Sequence, residues 1–205
     1  MLAACATDSS GQTVKTIEAP ALPNILDPPM SNDWVSDDIN AYIHSTLISI
    51  CELTFQPVPA LAIMWDKSDG QTLNMMLRQG VLFHNGDPLT AFDAAFSLKR
   101  ASAAPQSEQI LGMIESVTVH NDHNFTIHLK NPYASFISNL AHPRAAILPQ
   151  NHISAVGGEV FAALPIGTGA YVFDYKIASD RISLVRNTDY WGETPYFERI
   201  TFVVA

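Results

Sequence analysis

Four groupings in this chain have residue types that could do chemistry. His120, Asp122, His123 and His128 crowd imidazole and carboxylate donors into one short stretch, the kind of set that can hold a metal ion. Gly167-Thr168-Gly169 places two glycines where the backbone can turn sharply or lie close against something else. Serine, histidine and aspartate, the members of a hydrolytic triad, are all present, and Cys5 and Cys51 supply two thiols. Each grouping needs a particular setting, and most lack it. Residues 115–130 read as a hairpin whose apolar residues, Val117 and Val119 against Phe125, Ile127 and Leu129, share a face only if the loop has an odd length, most simply Asn121-Asp122-His123. His128 then lies opposite Ser116, four residues from His120 and about 13 Å away at a strand rise of about 3.3 Å. That is too far for one ion, so the cluster reads as a solvated hairpin end. The sequence has no G-x-S-x-G elbow, P-loop, H-E-x-x-H or C-x-x-C. Gly167-Thr168-Gly169 lacks the third glycine and the strand-to-helix context of a dinucleotide site. The expectation is a binding protein with no cofactor and no metal, not an enzyme.

Composition narrows the partners. The chain has 205 residues, 47% of them apolar and 15% charged, enough for one large or two small domains. A net charge of −9 with scattered basic residues excludes a nucleic-acid surface, which needs clustered Lys and Arg to neutralise phosphate. No run of eighteen apolar residues offers a membrane-spanning helix. Cys51 ends the apolar stretch from Leu47 and is expected as a buried thiol.

The elements that would position these residues follow from periodicity. Thr13 to Ile17 is a short strand. A helix from Ser36 to Ile50 is predicted by an N-cap at Ser36, Asp37 and Asp38 in the first turn, and Ile39, Ile43 and Leu47 at spacing four. Asp69-Gly70 marks a hairpin turn into an alternating strand with Leu73, Met75 and Leu77 on one face. Thr90 with Asp93 three residues on forms a variant capping box for a helix buried along Phe92, Ala95 and Phe96. Residues 132–140 look like a short helix, 142–149 an extended apolar stretch, and 151–161 a helix interrupted at Gly157-Gly158. Tyr171, Phe173, Tyr175 and Ile177 face the same way as Ile182 and Leu184 if a four-residue loop, Ala178 to Arg181, joins the two strands. Arg199 to Val204 is a last strand.

The wording of several segments adds a resemblance. Gly167-Thr-Gly-Ala-Tyr171, Arg186-Asn187 and Asp189-Tyr-Trp-Gly192 occur in that order, after Asn24-Ile-Leu-Asp-Pro28, Pro57 to Trp65 and Arg78 to Gly86. Together they resemble the family-5 extracellular solute-binding proteins, receptors that deliver dipeptides, oligopeptides, nickel chelates and related solutes to ABC importers. The resemblance implies an α/β fold: the first lobe of a periplasmic-binding-protein-like clamp (type II, cluster C) with mixed sheets. In it, residues 1–12 would be a leader remnant or tether, 13–50 with 165–205 a base subdomain, and 51–164 an inserted subdomain. By the same resemblance Asn32, Asp33 and Trp34 line the mouth of the cleft, Arg144 begins a strand pointing toward it, and Gly167 and Thr168 contact the ligand. An arginine there suits a carboxylate through paired hydrogen bonds. Two plainer readings stand beside these: Trp34 packing on the following helix, and Arg144 in a surface salt bridge.

The expected partners are a peptide or small solute and the importer's membrane subunits. Leu2-Ala3-Ala4-Cys5 is similar to a lipobox, so Cys5 is a candidate lipid anchor for a periplasmic or cell-surface protein, although the basic and apolar parts of a signal peptide are absent upstream. Family members usually run to more than twice this length, which suggests a fragment, from a truncated gene, an incomplete reading frame or a split receptor, with the second lobe outside it. The rival expectation is a single-lobe surface lipoprotein that serves as a protein-interaction module without transport.

Overall fold

A computed structural model of the chain describes residues 5–7, 13–67, 69–178 and 180–205. In chain order its strands are β1 (Cys5–Thr7), β2 (Thr13–Ala19), β3 (Ile48–Ile50), β4 (Pro57–Pro59), β5 (Ala62–Lys67), β6 (Thr72–Leu77), β7 (Ile114–Asn121), β8 (Asn124–Leu129), β9 (Tyr171–Ile177), β10 (Arg181–Arg186) and β11 (Arg199–Val204). Its helices are α1 (Trp34–Ile43), α2 (Ala91–Ser102), α3 (Glu108–Leu111), α4 (Phe136–Asn139), α5 (Gln150–Val156) and α6 (Gly158–Ala163). Short 3-10 turns at Pro28–Met30, Pro105–Ser107 and Pro143–Ala145 each begin with a proline, whose fixed φ suits a first helical position.

Two sheets carry the chain. The five-stranded sheet has the order β1-β2-β11-β10-β9, and its one parallel pair sets Val14–Ala19 beside Arg199–Val204. The four-stranded sheet, order β5-β6-β8-β7, is antiparallel throughout, and β3 pairs with β4 separately. Each large sheet has its own core. Leu22, Val35, Ile39 and Ile43 pack with Tyr171, Ile182, Leu184, Ile200 and Phe202 on the first. Leu73, Met75 and Leu77 pack with Phe125, Ile127, Leu129, Leu98 and Phe136 on the second. A parallel pair needs a long crossover, and here residues 20–198 supply it.

Local expectations meet the structure unevenly. The Asp69-Gly70 turn, the inward face of β6 and the break at Gly157, where φ is +86°, are as read. Asp93 accepts from both the backbone N–H and the hydroxyl of Thr90, at 2.9 and 2.8 Å, which closes the capping box. The buried stripe of α2 is a different one, however: Ala91, Ala94, Leu98 and Ala101 face inward while Phe92 is 53% exposed. Small residues there let the helix approach the sheet more closely than a phenylalanine stripe would. The first helix starts two residues before Ser36. Asp33 is its cap, accepting from the Ser36 N–H at 2.8 Å, and it ends at Ile43 because the chain turns extended at His44 to reach the second core with Leu47 and Ile48.

The β7–β8 hairpin closes with two residues rather than three, and a bulge after Val119 absorbs the difference, so Ser116 still faces His128. His120 and His128 bond instead to Thr126 and Thr118 across the sheet. The β9–β10 loop also has one residue fewer than expected, because Ile177 pairs with Arg181. An irregularity at Asp174 then switches the phase: Tyr171 and Phe173 stay with the core, while Tyr175 and Ile177 turn outward, 38% and 50% exposed. The helix read over residues 132–140 shrinks to α4. Cys51 is half-buried, not a core thiol, at the base of a hairpin tip where Leu53 and Phe55 are 91% and 78% exposed. The lipidation expected at Cys5 cannot be placed: residues 1–4 and 8–12 lie outside the described residues, and only the backbone of Cys5 is described, paired with Lys15.

One ion pair ties α2 to the first 3-10 turn. Asp27, in the Leu-Asp-Pro segment, is buried, and both its oxygens accept from Arg100 in the last turn of α2, at 2.6 and 2.5 Å. Removing the arginine alone strands a buried carboxylate, which costs about 3–5 kcal/mol. Arg100→Met is therefore expected to lower unfolding free energy by about 3 kcal/mol in a urea titration, and the double variant Asp27→Leu/Arg100→Met to recover most of it. A single variant within 1 kcal/mol of the parent would contradict this.

Candidate functional site

Helix α1 organises the surface with the clearest binding character. Its outward ridge begins at Trp34, 63% exposed in the first turn, passes the half-buried Asp37 and ends at the exposed Ala41. A tryptophan so uncovered is not capping the helix by packing. Beside it Met30 and Ile25 are also exposed, and together they border a groove of about 920 Å³ lined by Asn24, Met30, Asn32, Asp33, Arg100 and Gln106 among others. The three 3-10 turns meet at this end of the helix. Ser107 donates to the carbonyl of Pro29, and Arg144 donates to the carbonyl of Gln106 at 2.7 Å.

Arg144 sits in a 3-10 turn, not a strand. Its Nε and Nη2 donate to the two oxygens of Asp37 at 3.2 and 3.1 Å, and the side chains are about one-fifth exposed. The salt-bridge reading is thus realised, but against α1 in the middle of the ridge. These bonds and the one to Gln106 occupy three of the five guanidinium N–H groups. Beside it, His142 accepts from the Arg144 N–H through Nδ1, and burial holds its imidazole below its ordinary pKa.

Of the residues expected at the site, Asn32, Asp33, Trp34 and Arg144 gather at the start of α1, whereas Gly167 and Thr168 lie at its far end, about 15 Å along a ten-residue helix. There the loop lies directly on the helix terminus. The N–H of Gly169 donates to the carbonyl of Ile43 at 2.9 Å, and a Cβ on Gly167 would sit 2.1 Å from that same oxygen, which is why glycine is required. Thr168 has no exposed surface; its carbonyl accepts from Trp191 Nε1 at 3.0 Å. The ring of His84 completes the clasp: Nδ1 accepts from the Gly167 N–H at 3.2 Å, and Nε2 bonds to the Gly169 carbonyl at 3.1 Å. Only the neutral Nε2–H tautomer makes both bonds. Sequence reading passed over His84 and the Asp27–Arg100 pair, since neither has a ligand spacing; their partners are 73 to 85 residues away in the chain.

Residues 56–205 match the model of the bacterial extracellular solute-binding proteins, family 5 Middle. The chain belongs to this family. It is 28% identical over 211 residues to di/tripeptide-binding protein 2 of Pseudomonas aeruginosa (strain UCBPP-PA14), covering 90% of this chain and 40% of that one. It is 33% identical over 156 residues to the nickel-binding periplasmic protein of Escherichia coli (strain K12), covering 72% of this chain and 29% of the relative. Among solved structures, the dipeptide-binding protein from Pseudoalteromonas sp. SM9913 in complex with Met-Leu aligns with a TM-score of 0.86 at 25% identity, covering 94% of this chain and 43% of that one. The fold is therefore the mixed α/β fold of the periplasmic peptide-binding proteins, and the chain spans roughly two-fifths or less of the relatives it matches.

The clasp makes a pH statement. Burial pushes His44, beside the same loop, from 6.5 down to about 3, with His84 adding repulsion, and burial lowers His84 as well. In the unfolded chain these imidazoles take up protons near pH 6.5, so below that the unfolded state binds more protons and stability falls with pH. The contribution is intact above pH 6.5 and lost progressively toward pH 3. At about 1.4 kcal/mol per pH unit, His44 alone removes about 2 kcal/mol by pH 5. Thermal unfolding at pH 7.5 and pH 5 measures it, and His44→Gln is expected to flatten the slope; an equal slope in parent and variant would remove His44 from the account.

Proposed function

We propose that this chain is a substrate-binding component, or part of one, of an ABC importer for peptides or related small solutes. Residues 13–50 with 165–205 would form the base subdomain of one lobe and 51–164 the inserted subdomain, a division supported by the two separate cores. The solute binds against the ridge of α1, in a cleft that a second lobe closes, and the closed receptor docks on the importer's membrane subunits. No bond is made or broken. A periplasmic or cell-surface location, with a lipid anchor at Cys5, belongs to the same reading; the name of the nickel-binding periplasmic relative supports its periplasmic part.

The observation that carries it is the uncovered ridge. An exposed methionine on the wide groove, an exposed tryptophan at the start of α1 and a fixed guanidinium one turn further along the helix support a surface built to be covered. Trp34 and Met30 offer apolar contact, Asn32 offers amide hydrogen bonds, and the remaining N–H groups of Arg144 suit a carboxylate. Asp33 acts indirectly by capping the helix. Gly167 and Thr168 act as supports of the far wall, Thr168 through its carbonyl's bond from Trp191.

Calorimetric titration of the chain with Ala-Ala and with its C-terminal amide tests this. Binding of Ala-Ala is expected, with Arg144→Ala weakening it about tenfold while leaving the amide unaffected. A second reading, a protein-interaction module, is favoured by the exposed Leu53 and Phe55. No binding of any solute, together with a stable protein partner lost in Leu53→Ser/Phe55→Ser, would favour that reading instead.

A further inference from the structure

We infer that the groove of about 920 Å³ beside the start of α1 is a side-chain pocket that takes a bulky apolar side chain from the carboxylate-bearing residue of the solute, so that peptides ending in Phe or Leu are preferred. This rests on the solute-binding reading and adds a residue type at one position of the ligand.

The polar groups at the floor of the groove already bond to one another. Asp27 is held through both oxygens by Arg100, and the two charges cancel. The Ser31 hydroxyl accepts from Asn40 Nδ2 at 2.8 Å. Asp33 accepts from the N–H and the hydroxyl of Ser36, at 2.8 and 2.5 Å. A polar group placed on this floor gives up water and gains little in return, whereas an apolar one gives up nothing. The walls agree with that. Leu22, Pro23, Ile25 and Met30 form one side, and Ala162 and Ala163 of α6 form the other, where short side chains leave width for a ring. Asn24, Asn32, Gln106 and Glu159 stand exposed at the rim, so polarity is confined to the wet edge. Glu159 there opposes an acidic side chain. Lys176 approaches the same edge from outside and donates to the Pro23 carbonyl at 2.7 Å.

The position in the ligand follows from Arg144. Its guanidinium donates to the carbonyl of Gln106, and the acid that holds it, Asp37, directly follows Ser36 in α1. Gln106 and Ser36 both line the groove. A carboxylate on Arg144 therefore sets the side chain of its own residue at the groove's margin. In an extended peptide the preceding side chain points the opposite way, so only the last residue reaches the pocket. Burying about half of a phenylalanine side chain corresponds to about tenfold in affinity.

The test is calorimetric titration of the full chain with Ala-Ala, Ala-Phe, Phe-Ala and Ala-Glu. Ala-Phe is expected to bind about tenfold tighter than Ala-Ala, Phe-Ala about as Ala-Ala, and Ala-Glu no tighter than Ala-Ala. Ala163→Phe, at an exposed position, fills the groove and is expected to bring the ratio of Ala-Phe to Ala-Ala affinity close to one. Val160→Phe adds the same ring to α6 at an exposed residue outside the groove and is expected to keep the tenfold ratio. A circular-dichroism melt checks that both variants fold, and the four peptides on the parent chain decide the matter without them. Equal affinity for Ala-Phe and Ala-Ala, an equal gain for Phe-Ala, or a preference that survives in folded Ala163→Phe overturns the inference. If Ala-Ala binds and depends on Arg144 while any of these results is found, the solute-binding reading stands and the pocket falls. If none of the four peptides binds the parent chain, both fall.

Discussion

The contact on which the architecture turns is backbone against backbone: the loop Gly167-Thr168-Gly169 laid on the last carbonyls of α1. Helix termini leave their final C=O groups without partners, and a buried one must find a donor. Here the Gly169 N–H reaches Ile43, and the approach leaves no room for a side chain on Gly167 or Gly169. The chain leaves the first core for the second just after α1 and returns through this loop, so both passages are fastened at one point. His84 fastens them from the second core, since its ring and its backbone N–H both bond to the loop.

That fixed point has a functional counterpart at the other end of α1. The helix runs from the clasp to the meeting of the three 3-10 turns; it buries Val35, Ser36, Ile39, Asn40 and Ile43, and its outward side is exposed at Trp34 and Ala41 and half-covered at Asp37 by Arg144. Two anchors hold the outward side in register with the second core: Arg144 on Asp37 and Arg100 on Asp27. Each is an arginine from the middle of the chain pairing with an acid from its start. The wall proposed for the solute, assembled from 30–44, 100–107 and 142–146, gains rigidity from such ties, and rigid walls spend less free energy on ordering when a ligand arrives.

Much of this was legible in the sequence, for identifiable reasons. Alternation exposed β6, β8 and β11, and the Thr90–Asp93 cap and the Gly157 break marked their helices, because these signals are local. The segments around Asp27, Arg78 to Gly86 and Gly167 to Trp191 carried the family. What failed was governed by distant partners. The stripe of α2 was misread since phenylalanines look more buried than alanines until the closeness of the sheet is known. The length of α1 was overread because Leu47 keeps helical spacing by coincidence while serving another core. Arg144 could be singled out through the resemblance, and a salt bridge foreseen for it, but its commitment to Asp37, 107 residues earlier, could not. Both hairpin loops are one residue shorter than read, because an irregularity inside a strand offsets the loop; the β7–β8 pairing is unchanged by it, whereas the β9–β10 pairing shifts.

The irregularity at Asp174 has an effect on solubility as well as on register. Among the described residues strand β9 is the outermost of its sheet, with no further strand paired along its far side. A straight, apolar margin of that kind is a template onto which another polypeptide can zip. The extra residue breaks the regular spacing of amides, and Asp174 and Lys176 bring charge to the same border, Asp174 through its bond to Arg199 and Lys176 through its bond to the Pro23 carbonyl. The kink that upset the pairing count thus also guards the molecule against sticking to its own kind.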